Sequence, residues 1–464
     1  MYQHYFIAAL LIVMAASSAT HALLNKTDSR SALGWIAVSI VFPFFGPIFY
    51  FLFGINRVQN RAVKLNYYLR KRHFESKHHQ TYVFNPLKNI QIVSHQLTEL
   101  PLLGGNSVEI LYSGKQAYPS MIQAINSAKD YIYLSTYIFK PDETGTAFIN
   151  ALAEAKDRGV KVFVLIDGVG EFYSIRKASK LLAKNNVDVA RFLPPKLVPF
   201  NIYINLRNHR KLLIIDDYIG FAGGMNISHQ YASNGKNNPK DTHFKLSGSI
   251  TLQLKHLFEA DWRFATQEET NIPTPSCQDQ ETSSWCRTIC DGPGENLGHL
   301  SIVIFSAINA ATKSITIMTP YFLPNKDLIR ALEVAALRGI DVSLILPKNN
   351  NLFYVDWACR HMLWQLVGSG INIYYQPGPF EHSKLFIVDS FYTLIGSANF
   401  DPRSLRLNYE VGVEIYDKNV ATELTEYTHT VIMHSRKLTL DELRSRSLAV
   451  KLRDGVAWLF SPYL

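Results

Sequence analysis

Two long apolar runs open the chain. Residues 5–24 and 32–53 hold 20 and 22 positions without a Lys, Arg, Asp or Glu, and each is long enough to cross a bilayer as a helix. A cleaved signal peptide is the rival reading of the first run, because Ala15-Ala16-Ser17-Ser18-Ala19 offers small residues for processing. No Lys or Arg precedes that run, however, and the second follows after a short polar loop, so the pair reads as an uncleaved helical hairpin. Pro43, Gly46 and Pro47 fall inside the second run. They predict a kinked span, since lipid tolerates such residues where neighbours satisfy the freed carbonyls.

From about residue 106 the apolar pattern shortens and then repeats. Ala124-Ile125-Asn126 leads into Tyr131-Ile132-Tyr133-Leu134, a helical stretch from Phe148 to Ala155, Arg158-Gly159-Val160 and the apolar run 162–166. Ala307-Ile308-Asn309 leads in the same order into Ile315-Thr316-Ile317-Met318, a helical stretch from Leu328 to Leu337, Arg338-Gly339-Ile340 and the apolar run 342–346. Short β-rich runs alternating with helical ones predict an α/β fold of two pseudo-symmetric lobes, each with a buried mixed sheet flanked by helices. The expected organisation is a membrane anchor at 1–60 with spans at 5–24 and 32–53, a basic juxtamembrane linker at 61–105, and lobes at 106–266 and 296–436. A Pro- and Ser/Thr-rich connection at 267–295 joins the lobes, and a tail occupies 437–464. In the tail, apolar positions from Leu438 to Leu459 interleave with Arg444, Arg446, Lys451 and Arg453. That pattern fits an amphipathic helix on a bilayer and equally a helix packed on the body.

Composition narrows the class of partner. The 464 residues are 47% hydrophobic and 18% charged, which excludes a disordered chain, and a formal net charge of +9 favours anionic partners. Arg57, Arg61, Lys64, Arg70, Lys71, Arg72 and Lys77 follow the second apolar run, against Lys26 and Arg30 between the runs. By the positive-inside rule the body faces the cytoplasm. Beside a membrane span this basic segment reads as a binder of anionic lipid headgroups rather than of nucleic acid. Cys277, Cys286 and Cys290 match no common zinc spacing and read as reduced thiols in a loop. His73, His78, His79, His229 and His243 read as surface residues rather than ligands.

Each repeat carries one H-x-K-x4-D. His209, Lys211 and Asp216 form the first, His382, Lys384 and Asp389 the second, and Asn226 and Asn399 each follow their histidine by 17 residues. Alternation along a strand places His and Lys of one motif on a common face and gives the Asp the opposite parity. The aspartates are therefore expected to support the fold or the lobe interface. Imidazole supplies a nucleophile or proton carrier, Lys a fixed positive charge, and the Asn amides with Ser397 or glycine N–H groups a cradle for a phosphoryl group. This chemistry needs no metal and no cofactor.

The paired motifs, with Gly396-Ser397-Ala398-Asn399-Phe400-Asp401-Pro402-Arg403-Ser404, resemble the phospholipase D superfamily. A wider pattern resembles its bacterial cardiolipin synthases, through Phe53-Gly54-Ile55-Asn56-Arg57, Arg207-Asn208-His209-Arg210-Lys211, Thr319-Pro320-Tyr321-Phe322 and Leu407-Asn408-Tyr409-Glu410. The resemblance implies a phosphatidyltransferase of the bacterial cytoplasmic membrane. Such an enzyme joins two phosphatidylglycerol molecules through a phosphohistidine, with His209 as nucleophile, His382 as acid and base, and no nucleic-acid partner. It also implies that a carboxylate downstream of each motif orients that motif's histidine, Asp241 in the first half and Glu410 in the second. Arg403 and Ser404 fit either headgroup binding or bracing of the lobes. A hydrolase that makes phosphatidic acid, and more remotely a nuclease, share the same motifs.

Overall fold

The computed structural model describes residues 2–26, 29–54, 87–195, 206–233, 235, 238–273, 284–292 and 297–461. These fall into two compact units, one up to Gly54 and one from Leu87 onward. The basic segment Arg57 to Lys77, Cys277 and the last three residues lie outside the described residues.

In the first unit a helix spans Tyr2–Asn25 and is long and apolar enough to cross a membrane. The second apolar run is not one helix. It forms Ser29–Val41, turns at Pro43, and resumes as Phe45–Phe49 and a π-turn at Tyr50–Gly54. Proline 43 ends the first piece because it lacks the N–H that an α-helix needs. Tyr50 fastens the turn back onto the hairpin, with its hydroxyl 2.8 Å from His21 Nδ1 and its ring edge-on to Trp35. The expected kink is thus a complete break, and Ser29–Val41 alone, at 13 residues, falls short of the roughly 20 that a span requires.

The second unit is built on a sheet of 15 strands. The first lobe supplies β1 (Leu103–Leu111), β2 (Tyr131–Thr136), β3 (Lys161–Asp167), β4 (Asp188–Phe192), β5 (Leu212–Ile215), β6 (Ile219–Gly223) and β7 (His243–Ser247). The second supplies β8 (Ser284–Asp291), β9 (Ser314–Met318), β10 (Asp341–Pro347), β11 (Asn372–Gln376), β12 (Leu385–Val388), β13 (Tyr392–Gly396), β14 (Glu410–Tyr416) and β15 (Arg436–Lys437). Their order is β15-β11-β10-β9-β12-β13-β14-β8-β1-β7-β6-β5-β2-β3-β4. Apart from the short β15, the order is symmetric about the antiparallel β1–β8 pair. Within each lobe three strands run parallel, β2-β3-β4 and β9-β10-β11, and the others pair antiparallel. Buried side chains on both faces explain the continuous apolar runs in the sequence. Among the described residues, one apolar core packs around Phe148, Leu152 and Val164 in the first lobe and another around Ile317, Leu332 and Leu344 in the second.

Three expected boundaries shift. Residues 284–291 lie in the centre of the sheet as β8, not in a connecting loop, and Cys286 is buried there while Cys290 is partly buried. The prolines upstream of this segment drew attention away from its own strand pattern. Residues 88–98 are a helix of the body rather than linker: Ser94 donates to Glu414 at 2.9 Å, and Glu414 is paired inside the core with Arg287 at 2.7 Å. Burying that ion pair is tolerable only because hydrogen bonds satisfy its remaining atoms. The tail divides at Ser445 into Leu440–Arg444 and Leu448–Leu459. The longer piece packs along the helix Phe353–Gly368, with Arg453 4.5 Å from the centroid of the Trp357 ring and Trp458 stacked on His361. Its outer face leaves Leu448, Leu452, Val456 and Leu459 exposed.

Candidate active site

Asp216 and Asp389 stand away from the reacting face, at the turns that leave β5 and β12. Both adopt left-handed backbone, with φ of 50° and 54°, a conformation that short polar side chains tolerate. Asp216 accepts from the N–H groups of Lys129, Asp130 and Tyr131 at 2.7 to 2.9 Å. Asp389 accepts from those of Thr312, Lys313 and Ser314 at 2.7 to 2.9 Å. Each therefore pins its hairpin to the start of the neighbouring strand within one lobe, and neither reaches the lobe interface. These hydrogen bonds hold the Asp389 carboxyl below its ordinary range, against the opposing effect of burial. A depressed carboxyl stabilises the fold above the unfolded pKa, and that contribution fades as pH falls through the folded value. Asp389→Ala should cost roughly 2–4 kcal/mol of stability, read as a lower thermal unfolding temperature in detergent at pH 7. The deficit relative to wild type should shrink below about pH 4.

His209 and Lys211 precede β5 and His382 and Lys384 precede β12, all four in extended chain beside the other lobe. Backbone hydrogen bonds set this crossing. His209 N donates to Tyr409 O at 2.9 Å, and His382 N donates to Lys240 O at 2.7 Å. The residue after each acceptor is a carboxylate, so the carboxylates cross over as well. His209 Nδ1 lies 3.0 Å from Glu410, and His382 Nδ1 lies 2.7 Å from Asp241. The expected pairing of each histidine with its own lobe's carboxylate is thereby corrected. Sequence distance pairs Glu410 with His382, but the inter-lobe bridges 208–409 and 240–381 exchange the two.

Buried ion pairs brace the first motif. Arg207 holds Asp167 through Nη2 at 2.9 Å, and Asp167 also accepts from Asn208 N at 2.9 Å. Arg210 pairs with Asp261 and reaches into the other lobe, donating to Glu410 O and Asp291 O at 3.0 Å each. Gly224 lies against Asp241, and a Cβ there would stand 2.5 Å from its Oδ2. Any larger residue would push the carboxylate off His382.

The two halves of the site differ electrostatically. Burial works to raise the Glu410 carboxyl, but His209, Lys211 and the Ser397 hydroxyl outweigh it and hold it below its ordinary range. An ionised carboxylate only accepts, so His209 carries its proton on Nδ1. Burial lowers His209 despite Glu410, which leaves a neutral ring with a bare Nε2. Across the site, burial pushes Asp241 up to about 8, with Lys384 opposing and Glu381 adding to the rise. Burial, then the charges of Lys384 and Lys211, hold His382 well below the ordinary imidazole range. A protonated Asp241 and Lys384 Nζ, 2.9 Å away, both present donors to Nδ1 of His382. Its proton then sits on Nε2. The two lysines are lowered by burial, Lys384 to about 8 and Lys211 well below its ordinary value, and an entering anion favours the charged form of both.

The expected phosphate cradle is rearranged. Ser397 Oγ donates to Glu410 and its N–H donates to Val411 O at 2.9 Å, so Ser397 positions the carboxylate. Asn226 spends its amide oxygen on Ile138 N at 3.1 Å. Asn399 is buried, and its Oδ1 has no hydrogen-bond partner. Ser404 N caps against Asp401 at 2.7 Å, which ties it to the fold. His243 is buried, not on the surface, and burial lowers it to about 3. Sequence reasoning passed over Tyr137, whose ring stands edge-on to His209 at 5.3 Å, as Tyr321 does to His382 at 6.4 Å. The T-Y-I-F and T-P-Y-F endings of β2 and β9 are the signal that marks this pair. Among the described residues no group of three His, Cys, Asp or Glu is placed to hold a metal ion.

Fold and site together define a phospholipase D-like protein, in which each of two repeats gives one histidine to a shared centre. The family model described as "Cardiolipin synthase, PLD-like domain" matches residues 121–262 and 304–432, and "Phospholipase_D-nuclease N-terminal" matches residues 5–54. The chain is 31% identical over 460 residues to the major cardiolipin synthase ClsA of Bacillus subtilis, covering 95% of each. It is 29% identical to a cardiolipin synthase of Clostridium perfringens, covering 95% of this chain and 96% of that one. A phosphatidylserine synthase structure from Haemophilus influenzae shares the fold, with TM-score 0.62, 16% identity and coverage of 81% of this chain and 100% of that one. The chain belongs to the cardiolipin synthase family of phospholipase D-like phosphatidyltransferases.

Proposed function

We propose that the protein condenses two phosphatidylglycerol molecules into cardiolipin and glycerol through a phosphohistidine. The crossed pairs His209–Glu410 and His382–Asp241 carry this reading, because they leave one histidine ready to attack and the other ready to give a proton. His209 Nε2 attacks the phosphorus of the first phosphatidylglycerol, and the P–O bond to glycerol breaks. His382 Nε2 passes its proton to the departing glycerol oxygen while Asp241 supplies one to Nδ1. His382 Nε2 then takes the proton from a terminal hydroxyl of the second phosphatidylglycerol, its Nδ1 proton returns to Asp241, and the new alkoxide oxygen displaces His209 from phosphorus. Lys211 and Lys384 answer the charge that grows on the phosphoryl oxygens.

An N-terminal hairpin in the cytoplasmic membrane, with the body on the cytoplasmic side, keeps both lipids in two dimensions and raises their effective concentration. Product analysis by mass spectrometry, with phosphatidylglycerol alone in mixed micelles, tests the reaction. Cardiolipin and glycerol in equal amounts are expected, whereas phosphatidic acid without cardiolipin makes water the acceptor and the protein a hydrolase.

A further inference from the structure

Each lobe carries an exposed Phe-Tyr pair in the segment after its second parallel strand. Phe172 and Tyr173 follow β3 and Phe353 and Tyr354 follow β10, with relative exposures of 67%, 58%, 59% and 38%. Ile175, beside the first pair, is 99% exposed. Chains rarely leave aromatic side chains open to water twice at equivalent places without a use for them. Both pairs flank the reacting histidines. Tyr173 meets the ring of Tyr137 at 6.1 Å, and Tyr137 meets His209. On the other side Tyr321 meets His382 and donates to Asn351 at 2.7 Å, two residues before Phe353.

Charge at these rims has one sign. Arg176 and Lys180 are exposed beside the first pair and Lys348 before the second, while Glu171 is buried and Asp356 is bound to Arg360 at 2.7 Å. The Lys177 ammonium sits over the Phe172 ring, 4.4 Å from its centroid. Aromatic side chains bordered by Lys and Arg suit the boundary between acyl chains and anionic headgroups. The helix packed along Phe353–Gly368 extends the same apolar character through Leu448 and Leu452.

We infer that the two Phe-Tyr rims insert into an anionic bilayer on either side of the site, so that a lipid phosphate reaches the histidines without its acyl chains leaving the membrane. This rests on the phosphatidyltransferase reading for its purpose but not for its test. The full chain with Ile175→Cys carries a nitroxide label in phosphatidylglycerol nanodiscs, and the labelled parent chain supplies the background. Paramagnetic resonance should find the label accessible to oxygen and shielded from an aqueous nickel chelate. In bilayers, Phe172→Ser, Ile175→Ser and Phe353→Ser combined should slow turnover on the order of tenfold. Dispersed short-chain phosphatidylglycerol should be turned over within about twofold of wild type, which shows that the variant is folded.

A label open to the chelate, or shielded from both reagents as it would be against a second protein, overturns the inference. So does equal loss on bilayer and dispersed substrate. If wild type makes no cardiolipin yet the label lies in lipid, the reaction assignment fails and the insertion stands.

Discussion

His382→Ala and His209→Ala should each lower cardiolipin formation from natural phosphatidylglycerol by at least about 10²-fold, yet part company on an activated donor. General acid catalysis is worth about 10²–10⁴, and loss of a covalent nucleophile costs at least as much. With a p-nitrophenyl phosphatidyl ester the leaving group departs without a proton. His382→Ala, which keeps the bare Nε2 of His209 and its Glu410 partner, should then release a burst of p-nitrophenolate close to one per enzyme and stall. His209→Ala should give no burst. A burst from His209→Ala and none from His382→Ala reverses the roles, and steady turnover by either variant removes the shared site.

The crossed carboxylates predict a second inequality. Glu410→Gln removes the ionised acceptor that fixes the His209 tautomer, and by analogy with the loss of a buried triad aspartate it should cut kcat about 10³–10⁴-fold. Asp241→Asn keeps a donor to Nδ1 of His382 but has no proton to pass on when His382 protonates the departing glycerol. It should cut kcat on natural phosphatidylglycerol by about 10²–10⁴ yet leave the burst from the p-nitrophenyl donor, whose leaving group needs no proton. In wild type, activity falls at low pH as His209 gains a proton, with that limb below the ordinary 6.5 because burial lowers it. It falls again as pH rises through about 8, where Asp241 and Lys384 lose protons and His382 loses the donors that hold its own on Nε2. Both limbs belong to coupled groups. Glu410→Gln should slow the p-nitrophenolate burst and Asp241→Asn should not, and burst kinetics of the two variants with kcat against pH for wild type check these statements; equal damage to the burst, or no alkaline limb near pH 8, contradicts the electrostatic asymmetry.

Much of this centre is legible in the sequence because duplication writes the same signal twice. His209 with Lys211 and His382 with Lys384 stand out, and the parity of Asp216 and Asp389 already turns those two away from the reacting face, toward the fold or the lobe interface. The exchange of Asp241 and Glu410 between lobes is not legible, because it depends on the inter-lobe bridges at Tyr409 and Lys240, which join positions about 140 and 200 residues apart. Ser397 looks like a phosphate donor until its partners are known. The strand Ser284–Asp291 was hidden by the prolines before it and by Arg287, a charge that a buried strand admits only against Glu414. Conversely, Pro43 marked a kink in the second apolar run but not that the helix would end at Val41 and resume at Phe45.

The central claim is that phosphorus becomes bonded to His209. Incubation of His382→Ala with the p-nitrophenyl donor, a quench at alkaline pH and peptide mass spectrometry address it directly. The account predicts a phosphatidyl adduct on the peptide bearing His209 and none on the peptide bearing His382; an adduct on any other residue, or a full burst with no adduct at all, contradicts it.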